Sequence, residues 1–213
     1  MIRITLLFVV LLSALLVTGA SARTPLTWDA KDSGGELWGP GPNVWRSDNV
    51  VVEGDTVTLS VRQVDGVWTS GEAILDRSLG YGRYEFTLLQ SPYMDANVVL
   101  GLFIWDEDPA SPYNREIDIE FARWGNQWED RVGHFTFQPW QDPGRQIAFR
   151  PVDGPQTCSF TWLPMVIRWK CAAISWSYYG SDVPVPGTER VRMNLWTIGS
   201  PSSATSVSVR FRR

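Results

Sequence analysis

Period-two alternation runs from about Asn49 to the C-terminus and leaves little room for anything but β-structure. Val57, Leu59 and Val61 alternate with Thr56, Thr58, Ser60 and Arg62. Tyr84, Phe86 and Leu88 alternate with Arg83, Glu85 and Thr87, and Val207, Val209 and Phe211 with Ser206, Ser208, Arg210 and Arg212. Successive strand side chains point to opposite faces, so each segment reads as a strand with one face on a core. Turn clusters such as Glu53-Gly54-Asp55, Val64-Asp65-Gly66, Ser91-Pro92-Tyr93, Asp108-Pro109-Ala110 and Asp142-Pro143-Gly144 separate these segments at intervals typical of a sandwich. Past the N-terminal apolar run, no stretch repeats apolar residues at helical spacing over three turns. The expected fold is all-β, a two-sheet antiparallel β-sandwich. The segment before Asn49, with Gly34-Gly35 and Gly39-Pro40-Gly41-Pro42, is irregular and is expected to wrap an edge or a cleft rim.

Arg3, the apolar run Ile4 to Val17 and the small residues through Ala20-Ser21-Ala22 read as a secretory signal peptide over residues 1 to 22. That run is shorter than the roughly 20 residues a spanning helix needs, and no stop-transfer charges follow, so a membrane anchor is the weaker reading. Residues 23 to 213 are expected to form a single domain, secreted to the extracellular space or the periplasm and monomeric. Losing Arg3 from 19 basic residues leaves 18 against 23 acidic ones, a net charge of −5. That balance argues against nucleic acid or an anionic membrane surface as the partner.

Two cysteines, Cys158 and Cys171, flank a predicted hairpin of Ser159 to Leu163 and Val166 to Lys170 turning at Pro164-Met165. Counting outward from the turn sets the two directly opposite, close enough to bridge. Export would place them in an oxidising compartment, so a cross-strand disulfide is expected.

The segment Arg115-Glu116-Ile117-Asp118-Ile119-Glu120-Phe121, read as a strand, puts Ile117, Ile119 and Phe121 on the core face. Glu116, Asp118 and Glu120 then share the other. Three neighbouring carboxylates repel, and repulsion raises the pKa of at least one, so an acid and a carboxylate can coexist at neutral pH. Glycoside hydrolysis needs such a pair: one group protonates the leaving oxygen, the other attacks the anomeric carbon or activates water. On a flat strand residues i and i+4 lie about 13 Å apart, whereas a retaining glycosidase needs carboxyl groups about 5 to 5.5 Å apart. Only a concave sheet would close that gap. An acidic surface strand and a calcium site are the competing readings of the same pattern.

The chain has 12 tryptophans, more than its core needs. Trp45, Trp68, Trp105, Trp124, Trp128, Trp140 and Trp196 stand near turns or polar residues, where an indole can either pack or lie against the CH face of a pyranose. Trp105 is taken as one of the cleft walls. His134 is the only histidine, and no Gly-x-Ser-x-Gly elbow accompanies it. No P-loop, dinucleotide fingerprint or paired-His motif occurs, so nucleotide and zinc chemistry are not expected and no metal ligands are assigned.

Glu116 to Phe121 resembles the active-site motif of glycoside hydrolase family 16, the clan of lichenases, laminarinases and xyloglucan-modifying enzymes. Ser70-Gly71-Glu72, Gly80-Tyr81-Gly82-Arg83-Tyr84-Glu85 and Met193-Asn194-Leu195-Trp196 resemble further family segments in family order, covering roughly Trp38 to Phe211. The resemblance implies a concanavalin-like jelly roll with a concave substrate cleft and a polysaccharide substrate. It also implies a retaining mechanism, with Glu116 as nucleophile, Glu120 as general acid and then base, and Asp118 tuning the nucleophile. Glu72, Asn194 and Trp196 would touch sugar. No cofactor is required; relatives often hold a structural calcium, for which no ligands are identified here. The five-residue spacing of the two glutamates resembles lichenases and xyloglucan enzymes, which tilts the expected substrate towards a β-1,4-containing or mixed-linkage glucan. Asn114-Arg115 replaces the lichenase Trp-Asp pair, Ile74 stands where lichenases often have a sugar-binding arginine, and the tryptophan-rich Phe121 to Asn126 has no assigned counterpart. A transglycosylase, a non-catalytic carbohydrate-binding module on the same fold and a calcium-binding cell-surface protein are the alternatives.

Overall fold

A computed structural model describes residues 25–213, and the predicted signal peptide lies outside the described residues. The strands are β1 (Trp28–Ala30), β2 (Leu37–Trp38), β3 (Asn43–Trp45), β4 (Val50–Glu53), β5 (Thr56–Val64), β6 (Val67–Leu75), β7 (Gly82–Leu88), β8 (Val98–Trp105), β9 (Ile117–Ala122), β10 (Gly133–Phe137), β11 (Gln146–Phe149), β12 (Gln156–Leu163), β13 (Val166–Cys171), β14 (Ile174–Tyr179), β15 (Arg190–Thr197) and β16 (Thr205–Arg212). Helical structure among the described residues is limited to two 3-10 turns, Ser47–Asn49 and Pro112–Arg115. The absence of any 3.6-residue apolar period accounts for this.

Two layers result. One runs β11-β10-β9-β8-β15-β6, the other β5-β16-β7-β12-β13-β14. Strand β6 joins them: Val67 to Thr69 pair with β5, and Gly71 to Ile74 pair with β15. Gly71 stands where β6 passes the Ser47–Asn49 turn, and a Cβ there would lie 2.7 Å from the Asn49 carbonyl oxygen. The alternating segments behave as read: Val57, Leu59, Val61, Tyr84, Phe86, Leu88, Val207, Val209 and Phe211 all point into the core between the layers.

Strand β8 does not alternate. Its run Val-Val-Leu-Gly-Leu-Phe-Ile is buried on both faces, because Val98, Leu100, Leu102 and Ile104 enter the core while on the opposite face Val99 packs with Trp45, Ala122 and Trp196 and Phe103 lies in the floor of a cavity. The layers lock through aromatic rings. Trp169 of β13 stacks on Trp176 at 4.7 Å, approaches Phe135 of β10 at 6.2 Å, and donates its indole N–H to the Asp118 carbonyl at 3.0 Å. The predicted hairpin forms with the predicted register, Cys158 opposite Cys171 and Leu163 opposite Val166, and the two cysteines are bridged.

Candidate active site

Strand pairing assembles the acidic face. Across the ladder Glu72, Asn194, Gly101, Glu120 and His134 lie opposite one another in turn, one row away from Ile74, Arg192, Phe103, Asp118 and Thr136. Glu116 precedes β9 as the residue after the Pro112–Arg115 turn. Two cavities meet at the trio. One, of about 330 Å³, is walled by Glu72, Phe103, Trp105, Arg192, Asn194 and Trp196. The other, of about 590 Å³, is walled by Trp124, His134, Thr136, Gln138, Trp140 and Gln146. Glu116, Asp118, Glu120 and Pro40 line both. The Gly-Pro-rich segment therefore does border the cleft, and the three acids sit at its middle.

Burial dominates the electrostatics. Together with the charge of Glu120 it pushes Glu116 up to about 8, and burial pushes Glu120 up to about 7. Asp118 is 4% exposed and is raised well above the usual carboxylate range by burial and by both glutamates. Its hydrogen bond with Glu116 raises Asp118 and lowers Glu116. When the pair holds a single proton, that proton belongs on Asp118 and the charge on Glu116. Asp118 Oδ2 is buried and has no hydrogen-bond partner among the described residues. Gln138 adds a side-chain hydrogen bond that favours the charged form of Glu116.

The remaining predicted residues all reach the cleft wall, with differing freedom. Glu72 is 1% exposed and already paired, to Arg192 Nη1 at 2.7 Å and Lys31 Nζ at 3.3 Å. Asn194 Oδ1 accepts the Gly101 N–H at 3.1 Å, so its amide nitrogen is the group it can offer. Trp196 is 8% exposed and packs on Trp45, Val99 and Ala122, with Trp124 edge-on at 6.3 Å. Trp105 is half-buried where β8 ends.

The tryptophans divide between packing and the cleft wall, with Trp105, Trp124, Trp140 and Trp196 on the wall. Trp45, for which packing and sugar contact were both open, is fully buried: its indole N–H reaches the Trp38 carbonyl, and Lys31 Nζ lies 4.1 Å from its ring centre. Trp68 packs against the core, and Trp128 is 84% exposed and off the cleft.

Sequence reading missed Lys31 and Arg192. Arg192 lies two residues before Asn194 and so on the same strand face, a signal that was available. It bridges Glu72 and Glu107, and its buried Nε meets no acceptor. Burial lowers the Lys31 pKa against the raising influence of Glu72. His134 is on the cleft wall without a nucleophile. Burial lowers its pKa, and its Nε2 accepts the Trp124 indole N–H at 3.2 Å.

Arg115, one of the departures from lichenase sequences, turns away from the cleft. It binds Asp106 Oδ2 at 2.5 Å, Ser111 Oγ at 2.6 Å and the Val185 carbonyl at 2.9 Å. Tyr113, Asn114 and Arg115 have φ of 47°, 55° and 51°, three consecutive left-handed residues immediately before Glu116. Side-chain-bearing residues adopt that region only when neighbours impose it. Asp106 imposes it here: fully buried, it also takes the Thr188 and Asp108 N–H groups, while its backbone N–H and carbonyl bind the Asn114 carbonyl and amide. Among the described residues no group of three His, Cys, Asp or Glu side chains is arranged to hold a metal ion.

No protein-family model and no curated protein matches the chain. Solved structures do. A β-glucanase of Bacillus licheniformis is 21% identical with a TM-score of 0.65, over 90% of this chain and 92% of that one. A prokaryotic β-1,3-1,4-glucanase (lichenase) from a mouse hindgut metagenome is 18% identical with a TM-score of 0.65, over 88% and 91%. A non-specific endo-β-1,3(4)-glucanase from family GH16 is 14% identical with a TM-score of 0.66, over 89% and 87%. The fold of this chain is that of the glycoside hydrolase family 16 glucanases.

Proposed function

We propose that the chain is a secreted retaining glycosidase that cuts internal β-linkages of a neutral β-glucan. The observation that carries this reading is the placement of three buried carboxyls, two of them glutamates four residues apart, at the meeting point of two cavities. Asp118 and Gln138 give Glu116 hydrogen bonds that favour its charged form against the burial that raises it, and burial raises Glu120, so that Glu120 keeps a proton into the neutral range. In double displacement the Glu116 carboxylate attacks the anomeric carbon as Glu120 gives its proton to the departing oxygen. Water then delivers its proton to Glu120 while attacking the same carbon, and the ester to Glu116 breaks. The cavities on either side give room for glycosyl units on both sides of the cut bond, which suits internal cleavage. Trp105 and Trp196 offer rings on one side, Trp124 and Trp140 on the other.

Neutral sugar fits the charges. Glu72 and Glu107 already occupy the guanidinium of Arg192 and Glu72 also pairs with Lys31, so among the described residues the first cavity has no spare cation for a uronate or sulfate. A calcium-binding strand is disfavoured, because carboxyls held protonated are poor ligands for a hard cation. The neighbours' printed activities on β-1,3- and mixed β-1,3-1,4-glucans point to the same polymer class.

Reducing-sugar release from mixed-linkage glucan, xyloglucan, laminarin and agarose, with Glu116→Gln as control, tests the reading. Release from one neutral glucan that the substitution abolishes supports it. Binding without release from any polymer replaces it with a carbohydrate-binding module.

A further inference from the structure

The β9–β10 connection carries two indoles that face different ways. Trp124 lines the cleft, whereas Trp128 lines a separate pocket of about 650 Å³ with Asp95, Asn97, Arg123, Asn126 and Ser200. We propose that this pocket is a second carbohydrate-binding site, which takes a pyranose unit of the same neutral glucan whose neighbouring stretch lies in the cleft. The proposal rests on the polysaccharide reading above and adds a site to it.

Three observations support a sugar as occupant. First, Trp128 is 84% exposed, a large ring left in water with its face free for the CH side of a pyranose. Second, the loop backbone that carries the ring is tied down. Arg123 Nη1 binds the Gln127 carbonyl at 2.7 Å, Asn126 Oδ1 accepts the Trp128 N–H at 3.1 Å, and the Gly125 N–H reaches the Ala96 carbonyl at 2.9 Å. Little ordering is left to be lost on binding.

Third, the polar lining is arranged for hydroxyls rather than for an ion. The Asp95 carboxylate is filled by the Ser202 N–H and hydroxyl and by the Asn97 N–H. Asn97, Arg123, Asn126 and Ser200 add uncharged and charged polar groups to the lining beside that ring. Continuity with the cleft through a single loop identifies the ligand as the polymer already bound there.

The test titrates Glu116→Gln, which binds without cutting, and the Glu116→Gln/Trp128→Ala double variant with soluble mixed-linkage glucan and with a four-unit fragment of it. Trp128 is exposed, so the fold survives its loss. Loss of one stacked ring should weaken polymer binding roughly three- to tenfold. The ratio of polymer to fragment affinity should fall by the same factor, and Trp128→Phe should recover most of it. Equal polymer affinity with and without Trp128 overturns the second site and leaves the cleft reading standing. No binding of polymer or fragment by the Glu116→Gln parent overturns both.

Discussion

Asp106 reaches Arg115 at 2.5 Å from a position wholly inside the protein, and that contact closes the left-handed turn from which Glu116 emerges. Burial raises the Asp106 carboxyl, but the hydrogen bonds from Asp108, Thr188 and Arg115 outweigh it and hold the group charged. Asp106→Asn keeps the shape and removes that charge. With Glu116 displaced by an ångström or less, kcat should fall roughly 10- to 100-fold. KM should stay within about twofold, because the walls of the cleft are untouched. A matching rise in KM would make Asp106 a general stability residue.

Gly101 lies between Asn194 and Glu120 on neighbouring strands. A Cβ at that position would stand 2.5 Å from Asn194 Oδ1, so Gly101→Ala must push a buried amide aside and crowd the space before Glu120. Activity should drop at least roughly tenfold, with a stability loss of about 1–3 kcal/mol from overpacking. Kinetics and urea denaturation measured on one preparation separate the two effects.

Glu116 and Glu120 have folded pKa values of about 8 and about 7, above the usual 4.5. A carboxyl raised by folding stabilises the fold fully below its unfolded pKa, and that contribution is lost as pH rises through the folded value. The wild type should therefore lose stability from about pH 4.5 to about pH 8. Glu116→Gln, neutral throughout, should melt a few degrees higher than wild type near pH 8 and close to it near pH 4. Activity needs Glu116 charged and Glu120 protonated, so kcat/KM should be bell-shaped, with its maximum between the two apparent values of about 7 and about 8. Melting curves and initial rates across pH 4 to 9 check both, and parallel melting profiles for the two proteins would contradict the assignment.

The cystine closes a loop with a sequence separation of 13. Loop-closure entropy for a span of that size is worth about 3 kcal/mol. The double variant Cys158→Ala/Cys171→Ala should lose about that much in chemical denaturation while keeping its kcat, since the bridge pins two strands of the layer away from the trio.

Local pattern carried most of the architecture into view. Strand faces such as Val57/Leu59/Val61, the Cys158–Cys171 register and the shared face of Glu116, Asp118 and Glu120 depend on residues near one another in sequence, where period two is decisive. The Lys31–Glu72–Arg192–Glu107 ladder was hidden because it joins segments 41 and 120 residues apart, and only the pairing of β6 with β15 brings them together. Trp45 stands near turns, where its sequence left packing and sugar contact both open, and the parallel pairing of β3 with β6 decides for packing. Asp106 gave no signal, since an isolated acid beside Glu107 and Asp108 looks like an exposed turn until Arg115 and Thr188 fold over it.

The central claim is that Glu116 attacks the sugar. Mixing the enzyme with a 2-deoxy-2-fluoro β-oligoglucoside bearing an activated leaving group slows hydrolysis of the intermediate, and intact-protein and peptide mass spectrometry then locates the adduct. A single glycosyl group on the peptide containing Glu116, absent in Glu116→Gln, is the expected result. Turnover of that substrate with no adduct, or an adduct on any other carboxylate, would contradict the claim.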